Sequence, residues 1–87
     1  MMKGIVYRAH CLITNKDYIG LTTRTLDRRR KEHLYAAFKK MEELHFSRAL
    51  RKYGVRAFEW SILTTVSAKY REDLIESLKA LEKKYIK

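Results

Sequence analysis

The sequence predicts an α+β domain: a small three-stranded, mostly antiparallel sheet flanked by three helices, in the order ββααβα. Three observations carry that expectation. Two runs rich in β-branched and aromatic residues lie close together near the start, separated by a polar turn. Apolar residues then recur at helical spacing in three stretches. One alternating run, Phe58-Glu59-Trp60-Ser61-Ile62, falls between the second and third of these. A hairpin plus one more strand has an apolar face that the helices must cover.

Residues 5–11 (Ile-Val-Tyr-Arg-Ala-His-Cys) and 17–22 (Asp-Tyr-Ile-Gly-Leu-Thr) are the hairpin strands, with Thr14-Asn15-Lys16 as the turn. From Thr25 the period changes. Leu26, Leu34, Ala37, Phe38 and Met41 fit one helix, with Thr25 as N-cap and Asp27 in the first turn, running to about residue 41. A second helix covers about 45–53: Phe46, Ala49, Leu50 and Tyr53 share a face, and Gly54 suits the position just past its end. Arg48, Arg51 and Lys52 fall on the opposite face. After the half-buried strand at 58–62, Ser67 can cap a last helix of about 68–86, whose stripe is Leu74, Leu78, Leu81 and Tyr85.

At 87 residues the chain reads as a single domain spanning 1–87. A domain so small buries only about 60% of its unfolded surface, so the core will be thin. Hydrophobic residues make up 46%, which excludes a disordered chain. Lys and Arg number 20 against 10 Asp and Glu, for a formal net charge of +10. Such a surface attracts polyanions, and nucleic acid is the leading partner. The cations are spread along the chain rather than gathered on one amphipathic helix, which argues against a membrane surface. One cysteine, Cys11, allows no internal disulfide and no CxxC knuckle, and fits a reducing intracellular, cytoplasmic setting. His10, His33 and His45 are too dispersed for a local zinc motif, and no small-molecule cofactor motif occurs.

Polar residues that interrupt apolar faces carry the functional signal. Glu82 lies four residues after Leu78 and three before Tyr85, on or beside the stripe of the last helix. A carboxylate there needs a cation or a metal, unless it sits at the stripe edge and reaches water. Arg29 and His33, four apart, share a face of the first helix. The run Arg28-Arg29-Arg30-Lys31 is a solvated face in part, yet points around the helix, so at least one member approaches the core side. A guanidinium aimed at a cleft is a good phosphate clamp. Tyr7 and Tyr18, one on each hairpin strand, are either core packing or chemistry.

Taken in order, Tyr7, then Tyr18-Ile19-Gly20, then Leu26, Arg29 and His33 resemble the signature of the GIY-YIG nucleases. The stretch from Tyr18 to His33 is the most specific part. Ser47 to Gly54, with Phe58 and Ile62-Leu63, looks like the phage and intron-homing branch, and Leu78 to Ile86 resembles the family's last motif, which carries a metal-binding glutamate. The resemblance covers nearly the whole chain. Two departures stand out. The first triplet reads Ile5-Val6-Tyr7, with Gly4 one position early, and the asparagine the family usually carries after the last helix has no counterpart up to Lys87. The separate DNA-binding region common in related enzymes is likewise absent from these residues.

The resemblance implies a metal-dependent DNA endonuclease that hydrolyses phosphodiester bonds. Glu82 would hold one Mg2+ (or Mn2+), Arg29 would clamp the scissile phosphate, and Tyr7 would be the general base. Tyr18 would position water or phosphate, and His33 would hydrogen-bond one of these groups or relay the proton. A free tyrosine has a pKa of about 10, so surrounding cations are expected to lower that of Tyr7. Arg24, Arg28, Arg30, Lys31, Arg48, Arg51 and Lys52 are the expected DNA contacts. One such site cuts one strand, so double cleavage would need a homodimer or two encounters. The alternative is a non-catalytic basic nucleic-acid-binding module, which the charge suits equally but which has no use for Glu82 in an apolar stripe.

Overall fold

In a computed structural model, which describes residues 1–86, the chain runs β1 (Met2–Cys11), β2 (Asp17–Thr22), α1 (Leu26–Phe38), α2 (His45–Tyr53), a single 3-10 turn (Val55–Ala57), β3 (Phe58–Ala68) and α3 (Arg71–Tyr85). The sheet order is β2-β1-β3 and both pairings are antiparallel. The α+β class and the ββααβα order are therefore as the sequence predicts.

β1 is central and the most apolar strand, and successive residues serve opposite faces. Val6 packs with Leu74 and Leu78 of α3, joined by Ile19, Leu21, Leu63 and Val66. Ala9 and Cys11 face the other way, onto Ala37, Ala49, Leu50 and Phe58, with Tyr18, Phe46 and Trp60 at the margin. So α3 covers one face of the sheet and the α1–α2 pair covers the other. Full burial of a Leu is worth roughly 1.5–3 kcal/mol. Leu50, Leu74 and Leu78, all fully buried, therefore anchor the helices to the sheet.

Several boundaries differ from expectation. Thr25 does cap α1, accepting from the Arg28 amide at 3.2 Å, but the helix ends at Phe38 rather than near 41. Met41 has φ +54°, which no helix accommodates, and its side chain is exposed rather than part of the stripe. The Arg51 guanidinium donates to the carbonyls of Ala37 (2.9 Å) and Glu42 (2.7 Å), supplying partners the helix end would otherwise lack. β3 runs eleven residues, well past Ile62. Ser67 caps nothing; it lies in β3 opposite Lys3, because β1 starts at Met2 and its ladder extends to Ala68. α3 accordingly begins at Arg71, without a side-chain cap.

A β-bulge breaks the alternation of β3 after Ile62. Tyr7 pairs with Ile62 but Val6 pairs with Thr64, leaving Leu63 as an extra residue in the ladder. Leu63 turns to the α3 side, whereas Ile62, expected on the buried face of the strand, is 50% exposed.

Candidate active site

Tyr7 sits at mid-sheet on β1, immediately beside the bulge, and pairs across to Gly20 on the edge strand β2. A Cβ placed on Gly20 would collide with the Tyr7 ring, coming within 2.5 Å of Cζ. The missing side chain is thus what lets the phenol extend from the central strand over the edge strand. Its other flank is Trp60, stacked at 6.1 Å.

Over that edge the two sheet faces meet in an open cleft of about 1050 Å3. Tyr7, Tyr18, Arg29 and His33 line it from the hairpin and α1; Glu82 lines it from α3. All five expected site residues therefore border one cleft, although α1 and α3 cover opposite faces of the sheet. Three of them are hydrogen-bonded together. His33 Nε2 lies 2.7 Å from the Tyr7 hydroxyl, and Arg29 Nε donates to the same oxygen at 3.2 Å. Because Arg29 can only donate, the phenol oxygen accepts from it and its own hydrogen is free for His33. With Tyr7 as donor, the imidazole is neutral and its Nε2 carries no proton.

Burial favours that state, pushing the His33 pKa down to about 4, and the Arg29 charge adds to the effect. Phe46 edge-on at 4.8 Å and Trp60 at 5.8 Å form the apolar wall around the ring. Tyr7 is 3% exposed, and burial holds its hydroxyl above the usual phenol range despite the opposing Arg29 bond. This corrects the expectation that surrounding cations lower it: removal from water outweighs one guanidinium. Tyr18 stacks on Phe46 at 4.8 Å, is also raised by burial, and has no hydrogen bond to the other four.

Glu82 is half-buried, and among the described residues its carboxylate has no hydrogen-bond or ion-pair partner. Asp17 lines the same cleft, but its oxygens are taken by His10 and, at 3.9 Å, by Arg8. No group of three or more His, Cys, Asp or Glu side chains able to enclose a metal occurs among the described residues. The donor set is thus a single free carboxylate. It fits an ion such as Mg2+, which binds through one or two carboxylates while keeping waters and phosphate oxygens. It does not fit an all-protein cage.

The expected DNA contacts divide into groups. Asp27 pairs with Arg30 (3.1 Å) and Lys31 (3.2 Å), and Glu43 with Arg48 (3.8 Å). Lys52 lies over the Tyr53 ring at 5.3 Å. Arg24 approaches Glu32 at 4.0 Å, and Arg28 is without a carboxylate partner among the described residues. Arg51, expected on the outward face of α2, instead has 19% side-chain exposure and donates to the carbonyls of Ala37 and Glu42 and to the Glu43 carboxylate at 3.4 Å. Sequence reasoning also passed over Glu32, which holds Arg29 at 3.2 Å; the signal was a carboxylate three residues on along the same helix face.

The catalytic domain of the intron endonuclease I-TevI, in a point-mutant form, superposes with a TM-score of 0.71 and 26% identity, covering 95% of this chain and 84% of that one. The fold is that of a GIY-YIG nuclease domain. A second structure, the catalytic domain of homing endonuclease I-TevI, shares this GIY-YIG fold at TM-score 0.67 and 23% identity, covering 93% and 86% of the two chains. No family model and no curated protein matches the sequence.

Proposed function

We propose that the protein is a metal-dependent DNA endonuclease hydrolysing phosphodiester bonds. The observation that carries this reading is the Tyr7–His33–Arg29 cluster in a cleft whose far wall presents the unpaired Glu82 carboxylate. The likeness to endonuclease catalytic domains supports it. The net charge of +10 supports a polyanionic substrate. The lone, buried Cys11 thiol suits an intracellular setting.

In this mechanism Arg29 has two roles. It fixes the Tyr7 oxygen, and its remaining N–H groups clamp the scissile phosphate, offsetting charge that grows on the phosphoryl oxygens. A raised phenol pKa argues against a standing phenolate. Tyr7 instead acts as a relay: its oxygen takes a proton from the attacking water while its own proton passes to neutral His33 Nε2. Phenol and imidazole exchange donor and acceptor roles, so no phenolate accumulates in the buried site. Tyr18 walls the cleft and orients the substrate backbone. Glu82 would hold a Mg2+ or Mn2+ ion, which when bound supplies Lewis-acid stabilisation of the phosphoryl and leaving oxygens.

Supercoiled plasmid DNA gives the test. The protein should nick it with Mg2+ present, EDTA should stop the reaction, and Glu82→Ala should abolish cutting while still retarding duplex DNA at low salt. Plasmid left intact by the parental protein in Mg2+ or Mn2+ would leave only a binding module. Cutting that persists in EDTA would remove the metal from the account.

A further inference from the structure

Beside the cleft, the first turn of α1 and the neighbouring parts of β1 and β3 leave an open surface. A second groove of about 650 Å3 runs there, lined by Lys3, Thr23, Arg24, Arg28, Ile62 and Thr65 among others. No carboxylate lines it. Lys3 and Arg28 have no acidic partner among the described residues, and the Arg24 contact with Glu32 is long, at 4.0 Å. The outer face of α1 is different, since Asp27 offsets Arg30 and Lys31. The groove is therefore the less compensated of the two basic surfaces around α1.

The groove and the cleft are lined by neighbouring residues. Arg29 belongs to the cleft and its neighbour Arg28 to the groove. Tyr7 belongs to the cleft and its cross-strand partner Ile62 to the groove. One strand of backbone can pass from one to the other over the first turn of α1. Ile62, half exposed, offers an apolar floor against which sugar edges can pack. The threonine hydroxyls are donors of the kind that contact phosphate.

Resting on the nuclease reading above, we propose that this groove binds the DNA backbone that flanks the scissile phosphate, with Lys3 and Arg28 as its principal phosphate contacts. It holds no group that could take part in the chemistry. Its contribution is to set register and to fix which side of the cut the duplex must extend on.

The test is the salt dependence of binding to a duplex longer than the 39 Å long axis of the molecule, about 11 base pairs, followed by fluorescence anisotropy in EDTA. The pair Lys3→Ala/Arg28→Ala is compared with Arg30→Ala/Lys31→Ala. Each removes two positive charges, so a general charge effect would move both alike. Circular dichroism checks that both fold. Each lost phosphate contact lowers the slope of log K against log salt by about 0.9. The groove pair should therefore lose about 1.8 from the slope and bind roughly tenfold more weakly, while the α1 pair loses well under one. Equal losses in the two pairs would overturn the groove assignment, even in a protein that cuts DNA. A parental protein that neither binds nor cuts the duplex would overturn the nuclease reading itself.

Discussion

Gly20→Ala should disable the enzyme without replacing any group that does chemistry. The added methyl would lie 2.5 Å from Tyr7 Cζ, where ordinary contact begins near 3.4 Å, so the phenol must retreat by roughly 1 Å. Trp60 stacked on its other flank limits where the ring can go. A misplacement of about 1 Å can cost on the order of 100-fold in rate, and overpacking of this kind costs about 1–3 kcal/mol of stability. Single-turnover cleavage at saturating DNA reads the first effect and a thermal melt the second. Tyr7→Phe already removes the hydroxyl whose position matters, although its ring still meets the methyl, so in the double variant Gly20→Ala should slow cleavage little beyond Tyr7→Phe alone. A Gly20→Ala protein cutting at the parental rate would refute the claim that Tyr7 works by reaching over Gly20.

Other expectations follow from the same geometry. Arg29→Ala should slow single-turnover cleavage by about 100- to 1000-fold, as expected for loss of one well-placed charge-stabilising donor; an unchanged rate would remove Arg29 from the site. Because burial lowers the His33 pKa from its ordinary value to about 4, the neutral ring that accepts from Tyr7 should survive acidification down to that pH. Its assigned imidazole resonance should not titrate near pH 6.5, and a midpoint there would contradict the relay. The sign for stability follows from the same shift. Between pH 6.5 and about 4 the unfolded chain takes up a proton that the folded His33 does not, so this residue makes stability fall as pH drops through that window. Arg51→Ala strands the carbonyls of Ala37 and Glu42 and should lower stability by about 1.5–3 kcal/mol in a chemical melt. DNA affinity should change no more than one lost charge explains, and a selective loss of binding would return Arg51 to the DNA contacts.

The hairpin, the Thr25 cap and α2 were legible because each rests on a local rule: β-branched and aromatic runs flanking a polar turn, a hydroxyl before a helical run, an i, i+3, i+4, i+7 face with a glycine after it. The end of α1 was not, since Leu34, Ala37, Phe38 and Met41 keep helical spacing past the point where Arg51, from the next helix, takes over the carbonyls. The length of β3 was also hidden. Thr64, Thr65 and Ser67 look like a loop, and only the long β1 ladder, with a bulge at Leu63, makes them strand. At the site, the five residues that border the cleft could be named from sequence, through the resemblance, but their electrostatics could not. Counting cations around Tyr7 suggested a lowered pKa, because linear order carries no measure of burial, and burial decides the direction. Nor could periodicity reveal that α1 and α3, on opposite faces of the sheet, border one cleft over the β2 edge, or that Gly20 lies opposite Tyr7 and leaves room for its ring there.

Crystals of the protein grown with a short duplex and Mn2+ would test the catalytic assembly most directly, because anomalous scattering locates the ion independently of the protein atoms. The account predicts a manganese peak within coordination distance of a Glu82 oxygen, and a DNA phosphate lying between it and the Arg29–Tyr7 pair. A peak elsewhere, or a phosphate bound away from Arg29 while Glu82 faces only solvent, would contradict it.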